Sequence, residues 1–401
     1  MITVRQADKL ISKNIKKYPS VRVPLEGAFG KILREDLIAD RDLPPFDRVM
    51  MDGIAIDLRS WKKGNRAFPV RGIQKPGTPA LVLKDPAGCL EVMTGALLPV
   101  GCDCVIPFED IQLKNRRAVI NNGFALKRMQ NVHRKGSDGK KGSRLVPGGT
   151  RLMTSQVAFA ASVGKKQVLV SRIPRIAIVG TGDEVIAIGQ KVKPYQIRQS
   201  NAYAIEAALR LCGYDQVERF HVRDDKAKLT SCFKKVLKGF DVVILSGGVS
   251  MGRFDYVPAI LTALGVKEIF HKVKERPGKP LWFGKNKKGK PVFGLPGNPI
   301  STQVCLYRYV LPYLNRSVGL KEPRKEFVCL SENVEIKTNL TYFLPVKIKC
   351  RHDGRLMGAP VFFHNSGDYP CLSRTDGFVE LPANTFHFPK GTVARFYRWG
   401  L

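Results

Sequence analysis

Apolar residues recur at helical spacing near the start of the chain. Ala7, Leu10, Ile11 and Ile15 fall on one face, and a second short pattern of that period spans 33–38. Leu43-Pro-Pro-Phe46 then sets a stiff, extended entry. From there to about residue 150 the pattern breaks into short strand-like runs punctuated by Gly, Pro and Asn, with a strong turn signal at Asn121-Asn-Gly123. This predicts an all-β segment. Residues 152–163, rich in Ala, Ser and Val, predict a helix that returns to the first region.

After Pro174 the pattern changes. Arg175-Ile-Ala-Ile-Val-Gly180 reads as a parallel-type strand, followed by a helix over 201–212 that Ser200-Asn201 caps and Gly213 closes. A helix at 226–237, a strand at 241–245, a helix near 257–264, strands at 268–273 and 291–295 and a helix from about 299 to 315 continue the alternation. Such alternation implies a three-layer α/β domain with a mostly parallel sheet, roughly over 172–320. Ligands of such sheets bind beyond the carboxyl ends of the strands. From about 325 the chain is strand-rich again, with turn signals at Asp353-Gly354 and Asp376-Gly377, and predicts a small β domain.

A chain of 401 residues suggests two to four domains at about 150 residues each. Charge changes the picture more than length does: 67 Lys and Arg against 34 Asp and Glu leave a net charge of +33. That balance favours anionic partners of some kind without choosing among nucleic acid, membrane surface, nucleotide or oxyanion. The basic residues are spread through all regions, denser at His133-Arg-Lys135, Lys140-Lys141 and 285–290. No nucleic-acid-binding motif and no basic stripe interleaved with aromatics accompanies them, so nucleic acid is the weakest reading. The nine cysteines are odd in number and contain no CxxC pair, which indicates neither a zinc site nor a disulfide framework. No signal peptide and no apolar run of about 18 residues is evident, so no membrane span is expected and a soluble cytoplasmic protein is the expectation.

Four segments of the α/β region carry residue types suited to phosphate or metal. The strand at 241–245 feeds Leu245-Ser-Gly-Gly-Val-Ser-Met-Gly-Arg-Phe-Asp255. There Gly247, Gly248 and Gly252 permit close approach of backbone, Ser246 and Ser250 add hydroxyls and Asp255 adds a carboxylate. The strand before it exits into Gly180-Thr-Gly-Asp-Glu184, two carboxylates at the mouth of a turn, as suits Mg²⁺ shared with phosphate oxygens. Outside these four, Asp224-Asp225 precedes a helix and can equally be its N-cap. Arg276-Pro-Gly-Lys-Pro280 holds two cations on a turn stiffened by prolines, an arrangement for an oxyanion. Leu295-Pro-Gly-Asn-Pro-Ile-Ser301 leads into a helix whose free N–H groups, with Asn298 and Ser301, can hold an anion. Each alone is equally an ordinary turn or cap. Together, along one sheet edge, they point to one anion site. Outside this region Met51-Asp52-Gly53 and Met93-Thr94-Gly95-Ala96 place a small polar residue beside Gly in otherwise apolar sequence.

These motifs, with Pro44-Pro-Phe-Asp47, Pro99, Gly101-Cys-Asp and Tyr256, stand in the order of the molybdopterin molybdenumtransferase family, which includes bacterial MoeA and the E domain of gephyrin. The chain resembles that family over nearly its whole length. The resemblance implies a discontinuous N-terminal domain (1–45 with 146–171), an inserted β domain (46–145), a MogA-like α/β domain (172–320) and a C-terminal β domain (321–401). It also implies an activity: insertion of molybdate into adenylylated molybdopterin with release of AMP and a requirement for Mg²⁺. The implied assembly is a homodimer whose cleft combines the α/β domain of one subunit with N-terminal elements of the other. A MogA-like adenylyltransferase and molybdoenzymes are the implied partners.

By the same resemblance, Asp52, Thr94, Glu184, Asp225, Asp255 and Lys279 take catalytic roles, with Glu184, Asp225 and Asp255 as the Mg²⁺ ligands. Gly182, Asp183, Ser246, Gly247, Gly248, Ser250, Arg276, Pro280, Asn298 and Ser301 are the implied substrate-binding positions, and Ser366 resembles a further family serine. Asp52 and Thr94 would reach the site from the partner chain. Arg276 stands where many members have Lys, which replaces a point charge by a planar fork. The run Tyr342-Phe-Leu-Pro-Val346 lacks an Arg that many members carry early in the last domain. A reading of a different class is a non-catalytic scaffold or carrier for molybdopterin; the acids at 52, 184 and 255 favour turnover, since a scaffold has no need of a metal site.

Overall fold

Strand and helix alternation after residue 174 builds one six-stranded sheet, in the order Val217–Val222, Ile176–Thr181, Val242–Ser246, Pro291–Leu295, Trp282–Asn286, Val266–His271. The first four strands run parallel and the last two join antiparallel. The structure is a computed structural model and describes residues 1–121, 123, 125–249, 256–322, 324–363 and 367–400. The central strands are buried on both faces, as parallel strands covered by helices must be, which is why they read as continuous apolar runs. The edge strand Val217–Val222 and the antiparallel Trp282–Asn286 are additions to the elements expected from sequence.

Helices pack on both faces. Asn201–Leu211 and the long helical run beginning at Pro299 lie on one side, while Lys226–Gly239 and Val257–Ala263 lie on the other. The long run has a π-helical segment, Leu306–Val310, between the α segments Pro299–Cys305 and Leu311–Ser317. The N-terminal helix Val4–Lys13 opens with a capping box between Thr3 and Gln6 and buries Val4, Ala7 and Ile11. Those residues join the core that holds Tyr309, Tyr313 and Phe283, so the chain's first helix packs against the α/β domain. Burying Val4 and Ile11 contributes about 1.5–3 kcal/mol for each side chain.

The second helical pattern expected at 33–38 is not a helix. Leu33 bridges to Val170, and Leu37–Ile38 pairs with Arg144–Val146. Leu33 and Leu37 sit four apart, as on a helix, but both are buried by partners far along the chain in a small core with Leu152 and Ala160. Tertiary pairing overrides the local period there. The expected helix at 152–163 is present as Thr154–Ser162 and contributes to that same core.

Residues between these two segments form a six-stranded sheet ordered Cys104–Pro107, Gly53–Ile56, Cys89–Val92, Ala67–Gln74, Arg117–Ile120, Ile111–Lys114. Its tight hairpin turns at Asn115-Arg116, both with positive φ (49° and 58°), as a two-residue turn of this hand requires. The Asn121-Asn-Gly123 signal is not this hairpin, and Asn122 lies outside the described residues.

The last region closes on itself. Thr341–Cys350, Leu356–Pro360, Glu326–Leu330, Val393–Arg398 and Gly377–Leu381 pair in a ring, the last strand returning to the first. A sixth, two-residue strand, Glu275–Arg276, adds to Thr341–Cys350 from the α/β domain. The turn carrying the two predicted cations is thereby hydrogen-bonded into the C-terminal barrel.

Candidate active site

Three strands of the central sheet end side by side at a cleft of roughly 660 Å³. Gly180, Thr181, Gly182 and Glu184 line it after the first strand, Ser246 to Val249 after the second, and Pro296 to Pro299 after the third. The glycines are demanded by space as well as by torsion. Gly247 and Gly248 have φ of 93° and 68°, and a methyl group at Gly248 would lie 2.6 Å from a Val257 methyl. Backbone can therefore approach a ligand here as a bulkier sequence could not.

Asn201 ties two of these loops together. Its amide donates to Ser246 Oγ at 3.1 Å and to the Gly297 carbonyl at 2.6 Å. Sequence suggested a capping role for Ser200-Asn201, but Ser200 has helical torsions and makes no side-chain cap. The amide of Asn201 is spent on the cleft instead.

Among the described residues, two buried polar atoms of cleft-lining residues have no protein partner: Thr181 Oγ1 and Gln199 Nε2. Thr181 is only 5% exposed. Leaving a buried hydroxyl or amide without a hydrogen bond costs about 1–3 kcal/mol, a penalty carried here in the wall of the cleft. Neither residue was assigned a site role from sequence, and neither were Asn201, Arg198 or Tyr369, which also line the cleft. Orphaned donors have no sequence signal, because their lack of a partner is a property of the packing.

The predicted residues separate into groups. Gly182, Glu184, Ser246, Gly247, Gly248, Pro280 and Asn298 are brought together at the cleft. Asp183 turns away from it and takes Arg223 Nε at 3.1 Å and the Asp224 N–H at 3.3 Å. Asp225 is the N-cap of Lys226–Gly239, accepting from the Lys228 N–H at 2.8 Å, and its neighbour Asp224 is the acid that lines the cleft. Oδ1 of Asp225 thus serves the first helical turn, and Asp225 does not line the cleft as Asp224 does. Ser301 is 4% exposed within the helix and is not among the residues lining the cleft. Arg276 and Lys279 are exposed on the turn beside Pro280, adjoining the cleft without lining it. Ser250, Asp255 and Ser366 lie outside the described residues.

Asp52 and Thr94 are brought together, but on the six-stranded sheet of residues 53–120 rather than on this cleft. The two hydrogen bonds from Thr94, backbone first, hold the Asp52 carboxyl below its ordinary range. Among the described residues no group of three His, Cys, Asp or Glu side chains is placed to hold a metal ion. Glu184 and Asp224 supply hard oxygen donors at the cleft, which by themselves do not complete a Mg²⁺ site. All nine cysteines are free, and those at 89, 102 and 104 are pushed up to about 12 by burial, which leaves them inert thiols. No helix among the described residues is long and apolar enough to cross a membrane.

Comparison with known proteins places this architecture. A family profile described as the MoeA N-terminal region, domains I and II, matches residues 2–164, and one described as a probable molybdopterin binding domain matches residues 177–316. A molybdopterin molybdenumtransferase of a Synechocystis species is 38% identical over 400 residues, covering 100% of both chains. The protein of that name from Bacillus subtilis is 29% identical over 404 residues, covering 98% of this chain and 93% of its own. The crystal structure of a molybdopterin biosynthesis MoeA protein from Pyrococcus horikoshii superposes with a TM-score of 0.80 at 30% identity, covering 100% of this chain and 99% of that one.

Proposed function

As a member of the molybdopterin molybdenumtransferase family, this chain is an enzyme of molybdenum cofactor biosynthesis, and from that premise we propose that its cleft inserts molybdate into adenylylated molybdopterin and releases AMP. The observation that carries the reading is a glycine-lined cleft at the carboxyl ends of three parallel strands, where Gly247 and Gly248 admit close approach of backbone. Such a wall suits the phosphate groups of a pterin. The cationic turn at 276–279 adjoins it, and cations near an oxyanion lower the cost of gathering negative charge in one place.

In this reading Gly247 and Gly248 let backbone N–H groups approach the terminal phosphate, and Asn201 keeps the 246–249 and 296–299 loops in register around it. Lys279 and Arg276 attract molybdate, a tetrahedral dianion. Mg²⁺ would polarise the phosphate group that leaves as AMP, and among the described residues Glu184 and Asp224 are the carboxylates that line the cleft and would help hold it. Asp52 and Thr94 act from a second copy of the chain, so the working unit is a homodimer. Their support is local: an exposed, preorganised acid that its own cleft does not use. The reading includes a cytoplasmic location, a MogA-like adenylyltransferase as source of substrate and molybdoenzymes as recipients.

The test is incubation with adenylylated molybdopterin, Mg²⁺ and molybdate while AMP is followed. Molybdate-dependent AMP release, reduced in Glu184→Ala, is the expected result. Tight pterin binding with no AMP released would overturn the catalytic reading and leave a carrier.

A further inference from the structure

Beneath the cationic turn lies a buried carboxyl that the reaction described above does not use. Glu275 has no solvent exposure and immediately precedes Arg276. Its Oε2 accepts a hydrogen bond from the Tyr309 hydroxyl, and Cys305 Sγ lies 3.9 Å from its Oε1. That Oε1 also rests against Gly278, the residue before Lys279: a methyl group at Gly278 would fall 2.6 Å from Glu275 Oε1 and 3.0 Å from Cys305 Sγ. The turn is thus moulded around the carboxyl. The Leu281 N–H closes it on the Gly278 carbonyl at 2.9 Å, and the Val273 N–H holds the Lys279 carbonyl at 3.0 Å.

The one cation facing Glu275 among the described residues is already committed to other carboxylates. Arg308, 6% exposed, forms a two-pronged pair with Asp8 at 2.8 Å and takes Glu380 through Nε at 3.0 Å. Glu380 also accepts from Tyr397 at 2.7 Å. The groups facing Glu275 are therefore Tyr309, Cys305 and Arg308 from the long helix, Asp8 from the N-terminal helix and Glu380 from the barrel. One guanidinium serves two carboxylates before Glu275 is counted. A third anion would have no cation of its own in a site that water does not reach, a large penalty. Burial, opposed in part by Tyr309 and Arg308, pushes Glu275 up to about 8. The π-helical segment contributes to this arrangement: it holds the neighbouring residues Arg308 and Tyr309 both in the interior.

We propose that Glu275 is a positioning residue for the anion-binding turn, working as an uncharged carboxylic acid that Tyr309 holds against Gly278. It touches no substrate; it sets where Arg276 and Lys279 stand. Ionisation places a negative charge directly under a turn that must receive anions, and it removes the neutral acid around which Gly278 is packed. The inference rests on the cleft being the site of molybdate insertion.

Two readouts on the purified full-length protein test it. The first is independent of turnover: difference infrared spectra of wild type and Glu275→Gln across pH 5–9.5. A protonated-carboxyl band that titrates near pH 8 in wild type and is missing from Glu275→Gln is expected. The second is the pH profile of kcat/KM for AMP release. Wild type should lose about tenfold per pH unit above that titration, mainly through KM, while Glu275→Gln keeps its neutral-pH rate and lacks that limb. Tyr309→Phe, which preserves the ring packing, should raise KM about fivefold, the worth of one lost hydrogen bond. An unchanged alkaline limb in Glu275→Gln, or the absence of the infrared band, overturns the inference. So does a folded Glu275→Gln that is inactive at every pH, which would make the anion the working form. A wild type without AMP release but with the band instead overturns the proposed function and leaves the protonation state established.

Discussion

Thr94 donates twice to a single oxygen of Asp52, through its backbone N–H at 2.6 Å and its hydroxyl at 2.8 Å. Both residues are exposed, and a surface pair of this kind adds little to stability. What it does is hold one carboxylate in one orientation with its charge kept. If that acid serves a partner's cleft, neither Asp52→Ala nor Glu184→Ala homodimers should release AMP efficiently. Mixed dimers would contain one intact site of two, so subunit exchange between the inactive variants should recover about a quarter of wild-type activity. No recovery after exchange, verified by differently tagged chains, would place Asp52 outside the partner's site.

Thr181→Val tests the orphaned hydroxyl. Replacing a buried polar group that has no partner by an isostere is neutral or stabilising, so Tm should stay level or rise. KM for the adenylylated pterin should stay level, since the hydroxyl exposes no surface to the cleft. A drop in Tm would show that the hydroxyl supports the fold instead.

Asp224 and Asp225 should behave differently despite adjoining one another. Asp225→Asn retains a good N-cap for Lys226–Gly239 and should alter neither stability nor AMP release appreciably, whereas Asp225→Ala should cost about 1 kcal/mol in urea unfolding. Asp224→Asn should reduce the rate without affecting stability, because that side chain lines the cleft. The reverse pattern of rates would assign the metal-ligand role to Asp225.

Stability should depend on pH through Glu275. Its folded value is raised from 4.5 to about 8, so the folded protein retains a proton that the unfolded chain releases above 4.5. The associated stability is complete below pH 4.5 and is lost as pH rises towards 8, at a limiting slope of about 1.4 kcal/mol per pH unit. Denaturant midpoints of wild type should therefore fall relative to Glu275→Gln between pH 5 and 8 and run parallel above it. Parallel curves across the whole window would mean an ionised Glu275.

Arg308→Met should destabilise the protein. It leaves the half-exposed Asp8 and the partly buried Glu380 without their cation, for a loss of about 1–3 kcal/mol once solvent screening at Asp8 is counted. Because Asp8 belongs to the first helix and Glu380 to the barrel, hydrogen exchange should rise in both together.

Family, fold class and the three strand-end loops were legible in the sequence because each depends on local requirements. Continuous apolar runs mark strands covered on both faces, and the glycines after them mark torsions and close approaches that Cβ forbids, as Gly247 and Gly248 demonstrate. Helix ends were legible for the same reason, Gly213 closing one of them at φ 81°. The roles of neighbouring polar residues were not. Asp224 and Asp225 are chemically identical, and only the path of the chain into its helix decides which faces the cleft and which caps.

Periodicity and turn chemistry in the sequence set where strands and helices alternate, which loops can bring backbone to an anion, and which family the chain resembles. Only packing settled that Leu33 and Leu37 pair as strand, that Asn201 ties two loops instead of capping, and that Thr181 Oγ1 and Gln199 Nε2 lack hydrogen-bond partners among the described residues. It alone decided that Glu275 is buried beneath the cationic turn, where segments around residues 8, 308 and 380 converge. The physical reason is range. Torsional and periodic preferences are encoded within a few residues, whereas burial, hydrogen-bond satisfaction and the balance of buried charge arise only when distant segments exclude water together.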